Sequence, residues 1–190
     1  KLLNMIKFLF ILLSINLFSE SLPDGLLKDL DKKKIDLKEV IDGDYAVINF
    51  WFLACEPCKK EMKYLSQFNS KYSKYGFKVV SINTDNARTL NKVKPFVKSQ
   101  DYSFPVLLDS KSLYFRKIGA KLCPYVLVVN NDGEIVNRHS GYNPGDEIKL
   151  EHEIVSLLYS KISLDTTLTD SSIIKILDKV IPVPIDKKND

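Results

Sequence analysis

Between residues 45 and 50 the chain reads Tyr-Ala-Val-Ile-Asn-Phe, apolar but for Asn49. A run this short and this apolar predicts a strand buried on both faces. From Lys60 to Lys74 there is no Gly or Pro, and Met62, Leu65, Phe68 and Tyr72 recur at helical spacing. That pattern predicts a helix with one apolar face. Phe77–Asn83 predicts a second buried strand. Asn86–Gln100 predicts a second helix, kinked or starting late because Pro95 lies inside it. Phe104–Asp109 reads as a short extended piece and Leu113–Ile118 as a short helix closed by Gly119. Cys123–Val129 and Glu134–His139 flank Asn131-Asp132-Gly133, the signature of a hairpin. Asp146–Lys161 carries apolar residues at helical spacing. Upstream, Leu26–Leu30 and Ile35–Leu37 predict two short strands about a turn, and Lys38–Ile41 one helical turn. Strand, helix, strand, helix, hairpin and helix, behind an N-terminal hairpin, make an α/β sheet with helices on both faces.

The two ends fall outside this pattern. Lys1–Phe18 begins with Lys and continues mostly with Leu, Ile and Phe around Lys7, and Ser19 and Ser21 are small residues ahead of a cleavage point. Residues 1–21 therefore read as a secretory signal peptide, with an uncleaved membrane anchor as the alternative. The folded domain is expected over 22–161 and a C-terminal extension over 162–190. The net charge of +4 comes from lysines scattered among acids, so no nucleic-acid partner is expected.

Chemistry concentrates at Trp51-Phe52-Leu53-Ala54-Cys55-Glu56-Pro57-Cys58-Lys59-Lys60-Glu61-Met62. Cys55 stands where the first buried strand ends and the helix begins. Backbone N–H groups there aim at the sulfur, and the helix dipole favours its negative form. The thiolate is the nucleophilic form, and Cys58, one turn on, can attack back on a mixed disulfide. The pair reads as a redox dithiol. Its structural alternative is half of a zinc site, for which Cys123, His139 and His152 are the remaining ligand candidates. With three cysteines no disulfide framework is available, and Cys123 is the odd one. It is either a small buried side chain, a thiol that modulates the pair, or a metal ligand. His139 and His152 read as ordinary surface or strand residues, and Trp51 as core beneath the cysteines. Glu61, one turn beyond Cys58, is either a solvated helix residue or an acid within reach of the thiols.

Several stretches together resemble the thioredoxin superfamily. They are Asn49-Phe50-Trp51, Cys55-Glu56-Pro57-Cys58-Lys59-Lys60-Glu61, Val79–Asn83, Phe104–Asp109, and Pro124 with its Asp132-Gly133 turn. More narrowly, they resemble the exported thiol:disulfide oxidoreductases of the ResA, TlpA and CcmG type, over roughly Pro23–Tyr159. The resemblance implies a thioredoxin fold with a central mixed sheet, helices on both faces and an N-terminal β-hairpin extension. It implies Cys55 as nucleophile, Cys58 as resolving thiol and Glu61 as the acid that tunes the thiols or moves protons. Pro124 would be a cis-proline facing them, and Cys123, Trp51, Glu56 and Pro57 would line the substrate surface beside it.

Cys123 and Ala54 depart from the family, which usually has Thr or another small residue and Trp at these positions. A thiol at 123 should face the Cys55 sulfur. Asn49 replaces the buried Asp of classical thioredoxin, and an Asn cannot accept a proton at ordinary pH. Acid–base work thus shifts to Glu61. The activity implied is reduction of protein disulfides, apocytochrome c cysteines among them, with re-reduction by a membrane thiol-disulfide electron donor. The protein would be periplasmic, or anchored and facing the extracytoplasmic side, and act as a monomer. No cofactor or metal beyond the Cys55–Cys58 disulfide is expected. The rivals are a disulfide oxidase or isomerase using the same residues, a peroxidase, and a non-catalytic module holding metal on Cys55, Cys58 and Cys123. The peroxidase would need a Pro-x-x-x-Thr/Ser stretch that is absent before Cys55.

Overall fold

The computed structural model describes residues 20–164, with side chains through residue 160. The signal-peptide or anchor segment up to residue 19 and the C-terminal extension beyond residue 164 lie outside the described residues. Seven strands form one mixed sheet in the order β2-β1-β5-β4-β3-β6-β7. They are β1 (Leu26–Asp29), β2 (Lys34–Asp36), β3 (Tyr45–Trp51), β4 (Phe77–Asn83), β5 (Val106–Leu108), β6 (Tyr125–Val129) and β7 (Ile135–Ser140). The centre, β3-β4-β5, is parallel; β6 and β7 continue antiparallel on one side and the β1–β2 hairpin on the other. Five α-helices join them: α1 (Leu37–Ile41), α2 (Glu56–Tyr72), α3 (Val93–Gln100), α4 (Leu113–Lys117) and α5 (Asp146–Leu164).

Strand β3 explains why the sheet needs two helical layers. All seven of its residues are buried. Successive side chains point to opposite faces. Tyr45, Val47 and Trp51 enter one cluster with Met62, Leu65 and Phe68 of α2 and Leu150, Ile154 and Leu158 of α5. Ala46, Ile48 and Phe50 enter the other, with Leu37 and Ile41 of α1 and Tyr114 and Ile118 of or beside α4. Helices thus cover both faces. The expected late start near Pro95 is observed: a 3-10 turn over Leu90–Lys92 precedes α3, and Pro95 falls in its first turn, where a missing N–H costs nothing. Helix α5 runs to Leu164, a little past the expected end.

The first described residues run along the outer end of the sheet. Ile135 N–H donates to Glu20 O and Leu22 N–H to Gly133 O, each at 2.8 Å, and Leu22 is buried. Among the described residues no helix is long and apolar enough to cross a membrane.

Candidate active site

The site forms where β3 hands over to α2. Cys55 is the N-cap of α2 in an extended conformation, and its sulfur accepts the Cys58 N–H at 3.3 Å. Pro57 occupies the first turn, where its lack of an N–H is harmless, and Glu56 there complements the helix dipole while pairing with Lys59 at 2.8 Å. Cys55 and Cys58 are joined by a disulfide with their Cα atoms 5.3 Å apart. Cys58 is fully buried, whereas Cys55 keeps 5% of its surface open. Of the pair, an incoming sulfur can therefore meet only Cys55, and the helix N-terminus favours the thiolate there once the bond is reduced.

The loop before Cys55 is pinned from β4. Asp85, buried just after β4, accepts the Leu53 N–H at 2.7 Å, the Asn83 side-chain amide at 2.8 Å and the Thr89 hydroxyl at 2.6 Å. Thr84 N–H donates to Trp51 O at 2.8 Å. Trp51 is fully buried, its ring 5.5 Å from that of Phe96, so it is core beneath the cysteines. Phe52 on this loop and Leu122 ahead of β6 are exposed apolar side chains. Glu56 and Pro57 are exposed.

The Cys123–Pro124 peptide bond is cis. Pro124 is buried, and its carbonyl accepts the Gly141 N–H at 2.8 Å. Cys123 is a free, half-buried thiol that packs against the cluster holding Cys55 and Cys58. Its sulfur lies 4.0 Å from the Thr84 hydroxyl. Burial pushes this thiol up to about 11; contact with Thr84 offsets part of that and the nearby Glu61 adds to it. Cys123 is thus overwhelmingly protonated near neutrality.

Glu61 is not the solvated helix residue that local sequence allows. It is only 5% exposed, and its Oε2 has no hydrogen-bond partner among the described residues. Burial raises its carboxyl to about 8; the His139 charge pulls down and Asp146 pushes up. Asn49 lies opposite Ser81 across β3–β4, and the side-chain polar atoms of both are buried without hydrogen-bond partners among the described residues. His139, read from sequence as ordinary, is half-buried on β7 with Nε2 2.8 Å from Glu153 Oε2. No local signal marks it, because its place depends on the β6–β7 register. His152 lies on α5 and is part of no described metal cluster. Among the described residues, no group of three or more His, Cys, Asp or Glu side chains is placed to hold a metal ion.

Comparison with known proteins agrees with this geometry. The redoxin family model matches residues 19–154. The thiol-disulfide oxidoreductases ResA of Bacillus thuringiensis subsp. konkukian and of Bacillus cereus are each 31% identical over 127 residues, 67% of this chain and 72% of theirs. A Chlorobium tepidum protein assigned as thiol:disulfide interchange protein DsbE superposes with a TM-score of 0.68 at 26% identity, over 74% of this chain and 96% of that one.

Proposed function

From the premise that this chain belongs to the redoxin family, and within it to the ResA-type thiol-disulfide oxidoreductases, we propose that it reduces protein disulfides through Cys55 and Cys58. The observation that carries this is the paired sulfurs at the start of α2, with only Cys55 open to a partner. In the reducing direction the Cys55 thiolate attacks one sulfur of a substrate disulfide. That bond breaks, the departing sulfur takes up a proton, and a mixed disulfide forms. Cys58 loses its proton to the Glu61 carboxylate and attacks the Cys55 sulfur. The second substrate thiol leaves, and the enzyme holds the Cys55–Cys58 bond. Two electrons pass from the dithiol to the substrate.

Glu61 suits this step. An acid that titrates near 8 lies close to the ordinary thiol range of about 8.5, so the proton can move either way at little cost. Pro124, Cys123, Glu56 and Pro57 shape the surface that a substrate strand meets, exposed Phe52 and Leu122 add apolar contact, and Trp51, fully buried, supports that surface from beneath rather than lining it. The oxidised pair is then reduced by a membrane thiol-disulfide electron donor. The apolar stretch Lys1–Phe18 supports an exported protein, periplasmic or anchored, whose substrates are envelope proteins such as apocytochrome c with its Cys-x-x-Cys-His segment.

Trapping tests the sulfur assignment. Reduced Cys58→Ser, mixed with a disulfide-bearing Cys-x-x-Cys-His peptide, should accumulate a mixed disulfide that mass spectrometry maps to Cys55. A stable adduct on Cys123, or adducts formed equally by Cys55→Ser, would refute it.

A further inference from the structure

The His139–Glu153 pair stands apart from the sulfur chemistry, yet its strand register aims it at the site. His139 lies opposite Val126 on β6, and Val126 lies opposite Asn49 on β3. Laterally paired residues in an antiparallel ladder share a face of the sheet. Val126 belongs to the cluster of Cys55, Cys58 and Met62, so His139 stands on the face that α2 and α5 cover. These two helices are packed together there: Tyr72 and Lys71 of α2 both bond Glu151 of α5, at 2.7 and 2.8 Å. Two turns of α5 lie between Asp146, at its start, and Glu153, which holds His139 Nε2 at 2.8 Å. Glu61, from α2, is buried, and its Oε2 has no hydrogen-bond partner among the described residues.

We propose that the His139–Glu153 pair is a positioning element of this enzyme, holding a positive charge on the face of the sheet that Glu61 shares and so helping the buried Glu61 carboxyl to take the Cys58 proton. The groups within electrostatic reach of Glu61 are His139 from β7, Asp146 from α5, Tyr142 from the intervening loop and Cys123 ahead of β6. Of these His139 alone can carry positive charge. His139 itself meets Glu153, Asp146 and Glu61, three carboxyls, and its hydrogen bond to Glu153 is the largest influence favouring the imidazolium. Glu153 therefore favours the charged form of His139, and charged His139 favours the Glu61 carboxylate. Without that charge, burial alone would keep Glu61 protonated further into the alkaline range, and Cys58 would lack its acceptor.

The inference rests on Glu61 as the proton carrier, so the test is read without sulfur exchange. In the oxidised protein the Glu61 side-chain carboxyl resonance, assigned by its loss in Glu61→Gln, is titrated by carbon-13 NMR. His139→Gln should move its midpoint upward by roughly half a pH unit or more. Glu153→Gln should move it the same way, and the double variant should match His139→Gln alone, because Glu153 acts through His139. Unchanged midpoints in folded single variants would overturn the inference. So would a Glu153→Gln shift that persists in full when His139 is already Gln. Should His139→Gln fail to fold, Glu153→Gln decides, since it leaves the imidazole in place. Failure of the proton-carrier reading shows differently: Glu61→Gln would exchange disulfides at the native rate while the titration coupling stood.

Discussion

Glu61 and Cys58 lie three residues apart on one helical turn, and both are buried. Closing the enzyme's disulfide takes a proton off Cys58, and opening it returns one, in a place water hardly reaches. A carboxyl raised to about 8 can serve both directions. Gln at 61 keeps the shape but can neither take nor give the proton. For Glu61→Gln, resolution of the mixed disulfide near pH 7 should slow by about tenfold or more, with the first attack by Cys55 changed less. Rapid-mixing fluorescence of Trp51, buried beside the disulfide, would separate the two phases. Equal rates in both phases would remove Glu61 from the mechanism. The sequence placed this residue one turn beyond Cys58 but could not show its burial. The charges that act on its carboxyl, His139 of β7 and Asp146 of α5, are brought to it from about 80 residues away in the chain. The same holds for His139: strand periodicity reveals no partner on a helix that has yet to fold over it.

At the scale of elements, short-range patterns were enough where the element is decided locally. The apolar run of β3, the gap-free apolar stripe of α2 and the Asp-Gly turn before β7 all form where the residues say they should. Pro95 delays α3 for the reason proline always does. What the local pattern missed is what holds the Cys55 loop. Asp85 gathers the Leu53 amide, Asn83 and Thr89 about one buried carboxylate. Asp85→Ala leaves those donors unpaired and should cost about 1–3 kcal/mol in denaturant unfolding. It should also slow disulfide exchange, because the residues before Cys55 lose their anchor. An unchanged unfolding midpoint would show that the loop holds itself. Gly25 is a second such case: a Cβ there would come 2.4 Å from the Tyr114 ring. The bare sequence shows a glycine, but not that β1 passes against α4.

At the scale of the molecule, strand order joins segments distant in sequence. β1 pairs with β5, and β3 sits between β4 and β6. Element order and helices on both faces were legible, and the resemblance supplied the thioredoxin arrangement that local pattern could not. The buried carboxyl also sets a global property. Glu61 titrates at about 8 when folded against an ordinary 4.5. Between these values the folded state holds a proton that the unfolded chain releases, so stability falls as pH rises through the window. His139, raised by Glu153, acts in the same direction: its contribution is full at acid pH and is lost as pH rises through its folded value. The oxidised wild type should therefore lose stability, on the order of a few kcal/mol at most, from about pH 5 to 8. Glu61→Gln should flatten that decline, as denaturant titrations at several pH values would show. An equal decline in the variant would mean that Glu61 is ionised at little cost.

The reduction potential of the Cys55–Cys58 couple tests the central claim most directly. The domain is equilibrated in graded thiol buffers and alkylated, and its modified cysteines are counted by mass. A disulfide reductase should give a value near that of thioredoxin, about −270 mV, with Cys55 and Cys58 changing state together and Cys123 remaining a thiol throughout. A value near about −120 mV would mark an oxidant and contradict the reducing direction.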